Sequence, residues 1–275
     1  MRSFLSLYIT NLFLVGGTGL LTTYLALYLV QNNTSTFWIG AMTSLYYFGL
    51  LFGSKIGYYL ISSVGHIRTF AASTATVTAC VAAHGVIDNT YVWLVLRLMV
   101  GIGMMCNYMV LESWLNEQTT PERRGRVFSF YMITSYLGMM AGQFALSRFP
   151  ELGYAALFFV CIALSIGIVP IAITRRIHPK PLKQIKVSLL GYFKAVPQSL
   201  TAVHFAGIIN GSFYGLAPVF ASRAGFDAQG TALFMSVTVF AGLLAQWPMG
   251  LLSDKIRRSI LLRTNAIVLG LVSLL

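Results

Sequence analysis

The stretch GLLSDKIRR, residues 250–258, ends an apolar run that begins near Ala232 and sets one acid and three bases close together in a chain that is only 9% charged. An oily run closed by a knot of bases is the pattern a membrane-spanning helix leaves where it emerges into water. Outward from this stretch the pattern recurs. Runs of about 20 apolar residues suffice for a helix to cross a hydrocarbon core roughly 30 Å thick. They are predicted near 4–30, 38–60, 69–87, 92–115, 127–146, 154–174, 200–220 and 230–252, and a ninth begins near 259 and runs to Leu275. Lipid tolerates no unpaired backbone groups, so only helices or a closed barrel can span it, and runs this long and unalternating predict helices. A hydrophobic content of 57% and a mean hydropathy of +0.75 over 275 residues exceed what a soluble domain can hide. The expected fold is an all-α membrane protein, a polytopic helical bundle. The first run is too long for a cleaved signal peptide and no small-residue cleavage site follows it, so it is expected to remain in the mature chain.

The net charge of +12 raises the question of a nucleic-acid partner, and the placement of the bases answers against one. Arg2, Arg68, Arg123, Arg124, Arg126, the bases of 175–194, and Lys255, Arg257, Arg258 and Arg263 fall at one set of helix ends, whereas the opposite ends carry only Arg148 and Arg223. The excess of bases on cytoplasmic loops predicts a multi-pass protein of the cell's inner (plasma) membrane with its N-terminus in the cytoplasm. The lipid bilayer is therefore its first partner.

One boundary is visible. The segment RRIHPKPLKQIKVS, from Arg175 to Ser188, is basic, contains Pro179 and Pro181, and separates six runs from the rest. It predicts a six-helix bundle over 1–174, a basic cytoplasmic linker over 175–194, and a partial second bundle over 195–275 that holds helices seven, eight and part of nine. Six helices followed by a fresh start suggest duplication, and GYYLISSVGHIR, from Gly57 to Arg68, is a weak counterpart of the opening stretch in which serines replace the acid.

GLLSDKIRR has the form Gly-x-x-x-Asp-Lys-x-x-Arg and resembles the loop signature of the major facilitator superfamily, which recurs after helices two and eight of that family. RLMVGIG, from Arg97 to Gly103, is similar to the family's helix-four motif Arg-x-x-x-Gly-x-Gly, and PERRGR, from Pro121 to Arg126, to its helix four–five loop. YMVLESWLN, from Tyr108 to Asn116, looks like the YcaD-like bacterial branch. The resemblance covers the whole chain. It implies a secondary active transporter that moves a small solute between two six-helix halves by alternating access. Family members normally have twelve helices and this chain stops within the ninth, which leaves the expectation of a partial product. A non-transporting receptor or scaffold remnant is the alternative, and a full-length protein is expected to act as a monomer.

The opening stretch also has a direct physical reading. Gly250 lets a neighbouring helix approach closely. Asp254 is expected where span eight gives way to a turn, near the start of the next helix, where an acid caps orphan amides. Lys255 and Arg258, with Arg257, hold the loop in the cytoplasm and can meet lipid phosphates. The resemblance implies a cytoplasmic gate in which Asp254 pairs with Arg123, Arg124 or Arg126. Topogenic charge alone explains the bases but not the acid.

Charges at membrane depth are costly, about 3 kcal/mol or more unless paired or wet. Arg97, Gly101, Met105, Tyr108 and Glu112 fall on one face of span four, which is expected to look inward. Arg97 and Glu112 stand about 22 Å apart at 1.5 Å per residue, too far to pair. Both are candidates for proton or substrate coupling, with a structural anchor and snorkelling to the interface as the respective alternatives. Asn11, Thr18 and Thr22 on span one, Tyr108, Gln143, His204, Asn210, Tyr214 and Gln246 are candidates to line a pathway, each taken singly more readily an interhelical hydrogen bond than a substrate contact. Glycines recur every four residues at 49, 53 and 57 and at 207, 211 and 215, and pair at 138 and 142, as stripes for close packing.

Cys80, Cys106 and Cys161 lie inside spans without metal-ligand spacing and read as small apolar fillers. His84 and Asp88 are two ligand types without a third, so no metal is expected. Without a nucleophile–base constellation or a phosphate-cradling loop, neither a cofactor nor an enzyme is expected, and the sequence gives no support for an ATP-driven mechanism. The partners foreseen are a small-molecule substrate and protons.

Overall fold

The computed structural model describes residues 4–174 and 196–274, and the basic segment 175–194 expected as a linker lies outside the described residues. The described helices are α1 (Leu5–Gln31), α2 (Thr36–Val64), α3 (His66–Val86), α4 (Thr90–Glu117), α5 (Arg124–Leu146), α6 (Tyr154–Ala172), α7 (Pro197–Arg223), α8 (Ala228–Lys255) and α9 (Arg258–Val272). A short 3₁₀ turn, Pro121–Arg123, leads into α5. Each helix coincides with one expected span, and the fold is an all-α membrane bundle.

Among the described residues, five helices are long and apolar enough to cross a membrane: α1, α4, α6, α7 and the first 19 residues of α8. The helices α2, α3 and α5 have 29, 21 and 23 residues, and at 1.5 Å per residue they too reach about 30 Å or more. Their hydropathy is diluted by the glycines, serines, threonines and tyrosines that pack against neighbours, such as Gly49, Ser73 and Tyr131. Large exposed apolar side chains, Phe48, Phe158 and Ile162 among them, form the outer surface that lipid requires.

Local signals fix the ends. The Asn89 side chain accepts from the amides of Tyr91 and Val92 at 2.9 and 3.2 Å and starts α4. Asp227 accepts from the Gly230 amide at 2.7 Å and starts α8. Gly65, at φ +85°, makes the single-residue corner between α2 and α3 that a side chain would strain.

The opening stretch folds differently from its sequence reading in one respect. Helix α8 continues through Lys255, so Asp254 lies in the last turn of α8 and not at the start of the next helix, whose N-cap is Arg257 with no side-chain cap. The capping role assigned to Asp254 is corrected accordingly. In a last turn an acid faces the negative end of the helix dipole and calls for a cation instead.

Packing is closest where glycines remove side chains. A Cβ placed on Gly49 of α2 would stand 2.9 Å from the Gly101 Cα of α4, and one on Gly53 2.7 Å from the Ile102 carbonyl. On the other side of the bundle, a Cβ on Gly142 of α5 would stand 2.8 Å from the Gly16 carbonyl carbon of α1. Helix α1 packs on α5, α6 and α7, α3 on α4 and α6, and α5 on α8. Trp114, Tyr24 and Phe70 are among the largest fully buried side chains.

Candidate functional site

Arg97 is 2% exposed in α4, and its guanidinium lies over the Tyr46 ring of α2 at 4.7 Å. Its Nε has no hydrogen-bond partner, and no carboxylate pairs with it among the described residues. From there a ladder of hydroxyls descends along α4. Tyr46 and Tyr108 lie close together, Tyr108 also neighbours Thr18 of α1, and Tyr131 of α5 neighbours Tyr108. Tyr131 donates to Glu112 Oε1 at 3.4 Å. Three tyrosines from three helices thus lie between the two charges that are too far apart to pair. Glu112 itself is exposed, at the last rung.

Sequence reading missed Tyr46 and Tyr131. The available signal was their phase: Tyr46 is three and seven residues before Gly49 and Gly53, and Tyr131 is seven before Gly138, so each shares the face of a glycine stripe.

Asn11 and Gln143 are buried ties between α1 and α5. Asn11 donates to the Tyr131 carbonyl at 3.2 Å and to Thr134 and Ser135 at 3.0 and 2.8 Å, and Gln143 donates to the Gly19 carbonyl at 3.1 Å. Thr18 and Thr22 donate to backbone carbonyls one turn back, at Leu14 and Thr18. Asn210 is exposed and turns back to the Ala206 carbonyl, and Gln246 is half-buried. His84 hydrogen-bonds the Cys80 carbonyl at 2.7 Å and packs against Trp93, whereas Asp88 is exposed beyond the end of α3. The two are not brought together, and no group of three metal-ligating side chains occurs among the described residues.

A cavity of about 710 Å³ lies between α2 and α7, with Thr43, Ser44, Tyr47, Leu51, His204 and Ser212 in its largely apolar wall. Its two helices meet tightly at one end only. Arg223 donates to the Thr36 hydroxyl at 2.6 Å. A Cβ on Gly215 would stand 2.7 Å from Thr43 and one on Gly211 3.1 Å from Tyr47, while Gly207 has nothing within 4 Å. Toward the other end α7 is exposed almost continuously from 203 to 210. The expected glycine stripe of α7 is therefore used over only part of its length. Tyr214 is half-buried and neighbours Tyr47 and Tyr136.

Of the residues expected to form a cytoplasmic gate, Arg123, Arg124 and Arg126 are exposed around the start of α5. Beside them the Glu122 carboxyl is held below its ordinary range by hydrogen bonds from its own backbone and from Thr120. The side chains of Gly250, Asp254, Lys255 and Arg258 lie outside the described residues.

Nine described helices around a tyrosine-lined interior define a polytopic helical membrane protein. The family model of the Major Facilitator Superfamily matches residues 7–275. The MFS-type transporter YcaD of Escherichia coli O17:K52:H18 is 31% identical over 260 residues, covering 93% of this chain and 68% of that protein, and its Shigella flexneri counterpart matches equally. Among solved structures, the nucleoside transporter NupG superposes with a TM-score of 0.72 at 14% identity, over 93% of this chain and 68% of that one. A D-xylose-proton symporter gives 0.65 at 13%, over 93% and 69%. The chain belongs to the Major Facilitator Superfamily, a family of membrane transporters and not of enzymes.

Proposed function

We propose that this chain works as a secondary active transporter that carries a small solute by alternating access, coupled to protons, in a bacterial inner membrane. The observation that carries the reading is the one-ended seam between α2 and α7, tight at Gly215 and Thr43 and open beyond Gly207. A cavity that narrows to side-chain contact at one end and widens at the other is the shape of one half of an alternating cycle. With the N-terminus in the cytoplasm, as the distribution of bases favours, the tight end faces outward and the cavity opens inward. The solute path is shared between the six-helix unit 1–174 and the second unit 195–275, joined by the basic segment 175–194, in a single copy of the protein.

In this reading Glu112 takes up and releases the coupling proton, because it is an exposed carboxylate that accepts from the Tyr131 hydroxyl and can exchange with water on one side. Arg97 answers it from the buried end. Asp254, in the last turn of α8, closes the cytoplasmic side by meeting Arg123, Arg124 or Arg126, with Gly250 allowing the close approach and Lys255 and Arg258 holding the loop at the membrane face. The test is solute accumulation in reconstituted vesicles under an imposed pH gradient. Accumulation should collapse with the gradient and with Glu112→Gln; accumulation indifferent to both overturns the coupling.

A further inference from the structure

We propose that the carried solute is a small organic anion, an apolar body with a carboxylate-like head, whose head is received by Arg97 behind Tyr47 while its body occupies the α2–α7 cavity. The inference rests on the transporter reading and adds the class of solute.

The first ground is an electrostatic imbalance. A guanidinium at membrane depth that is 2% exposed needs a counter-charge or water. Tyr46 offers a ring face at 4.7 Å, which attracts a cation without neutralising it. Glu112 stands about 22 Å down the helix, and the buried Nε has no acceptor. A planar fork with an unused donor fits a carboxylate, which it can hold by two parallel hydrogen bonds. A resident acid would have neutralised the site permanently. With no acid beside it among the described residues, Arg97 leaves the position for an anion that comes and goes.

The second ground is access. Tyr47 forms part of the cavity wall, its ring centroid lies 5.4 Å from that of Tyr46, and it interacts electrostatically with Arg97. Arg97 is therefore one side-chain layer behind the wall, and that layer is Tyr47, a cavity-lining side chain that is 38% exposed. Rotation of Tyr47 about its side-chain torsions opens the way without moving a helix. The third ground is the body of the solute. A volume of about 710 Å³ is within the range of small-molecule sites, and its largely apolar wall offers little to a fully polar solute.

The experiment is chemical protection of the native protein in lipid nanodiscs. Phenylglyoxal, an apolar reagent for guanidinium groups, is applied and the modification of Arg97 is followed by peptide mass spectrometry, with exposed Arg223 as the internal reference. Benzoate, uncharged benzamide and acetate are the competitors. Arg97 should react, benzoate should slow it about tenfold at about ten times its half-protecting concentration, since the free fraction is 1/(1 + [L]/Kd), and Arg223 should be unaffected. Benzamide should give no protection, and acetate should need a much higher concentration than benzoate. An Arg97 that stays unmodified while Arg223 reacts, or protection that is absent or equal for benzoate and benzamide, overturns the anion site. Equal potency of acetate and benzoate overturns the apolar body. Vesicle accumulation with no protection at Arg97 would sink this inference alone, whereas protection with no accumulation would sink the transporter reading and leave an anion site.

Discussion

Alanine at Gly215 should loosen the tight end of the α2–α7 seam, and alanine at Gly207 should not. The two glycines share a stripe on one helix, so the roughly 1 kcal/mol gain in helix propensity from Gly to Ala is common to both and cancels in the comparison. They differ in what the new methyl meets. At 207 there is nothing within 4 Å, whereas at 215 the methyl would stand 2.7 Å from the Thr43 methyl and 2.8 Å from its hydroxyl. Carbon contacts are comfortable at about 3.5–4.0 Å, so the helices must part by about 1 Å or Thr43 must turn. Thr43 is β-branched, and its hydroxyl donates to the Ile39 carbonyl at 3.3 Å, which limits turning. Overpacking of this kind costs about 1–3 kcal/mol, equivalent to a shift of about 5- to 150-fold between two states. The assay is the reaction rate of an impermeant maleimide with a cysteine placed at Gly40, which lines the cavity between the Thr36 and Thr43 contacts, with Cys80, Cys106 and Cys161 replaced by alanine. Gly215→Ala should raise the rate within that range and Gly207→Ala should leave it unchanged. Equal rates for the two variants would refute the claim that the α2–α7 contact is a closable seam.

Within the six-helix unit the same chemistry should affect stability. Gly101→Ala drives a methyl into the α2 backbone beside Gly49 and should cost about 1–3 kcal/mol or more, read as a lower Tm in detergent, while Gly125→Ala, with nothing within 4 Å, should leave Tm in place. Asn11→Leu removes the donor that holds Tyr131, Thr134 and Ser135 and should lower stability by about 1–2 kcal/mol, the scale of interhelical hydrogen bonds in membranes. Asp254→Asn should increase thiol labelling on the cytoplasmic side without preventing insertion, and an unaltered pattern would remove support for the gate.

The helices were legible because each requirement is one-dimensional: length, apolarity and the charge at the ends. Position in the chain then gave every span to within a few residues. The capping role expected of Asp254 fails because a helix boundary depends on where the hydrogen-bond ladder stops, and GLLSDK carries the ladder of α8 through Lys255. In the candidate site, Arg97 and Glu112 stood out because charge at membrane depth is rare. The tyrosines joining them did not, since Tyr46, Tyr108 and Tyr131 come from three helices and an ordinary aromatic in an apolar run carries no mark of its partner. Thr36 and Arg223 likewise meet across 187 positions, at helix ends where each reads as a simple surface residue.

The contacts fall into two mechanical grades, and the division bears on motion. Between α2 and α4 and between α1 and α5, glycine faces backbone, as at Gly49 with Gly101 and at Gly142 with Gly16. A backbone–backbone contact has no torsion to absorb sliding, so these pairs move only as one body. Across the seam to α7, glycine faces side chains: Gly215 meets the tip of Thr43 and Gly211 the ring of Tyr47, and the end carries an exposed hydrogen bond between Arg223 and Thr36. Side-chain tips can turn aside, and an exposed hydrogen bond exchanges with water at little net cost. In the proposed cycle this seam is the compliant surface, and α1 through α6 are the frame against which α7 rocks.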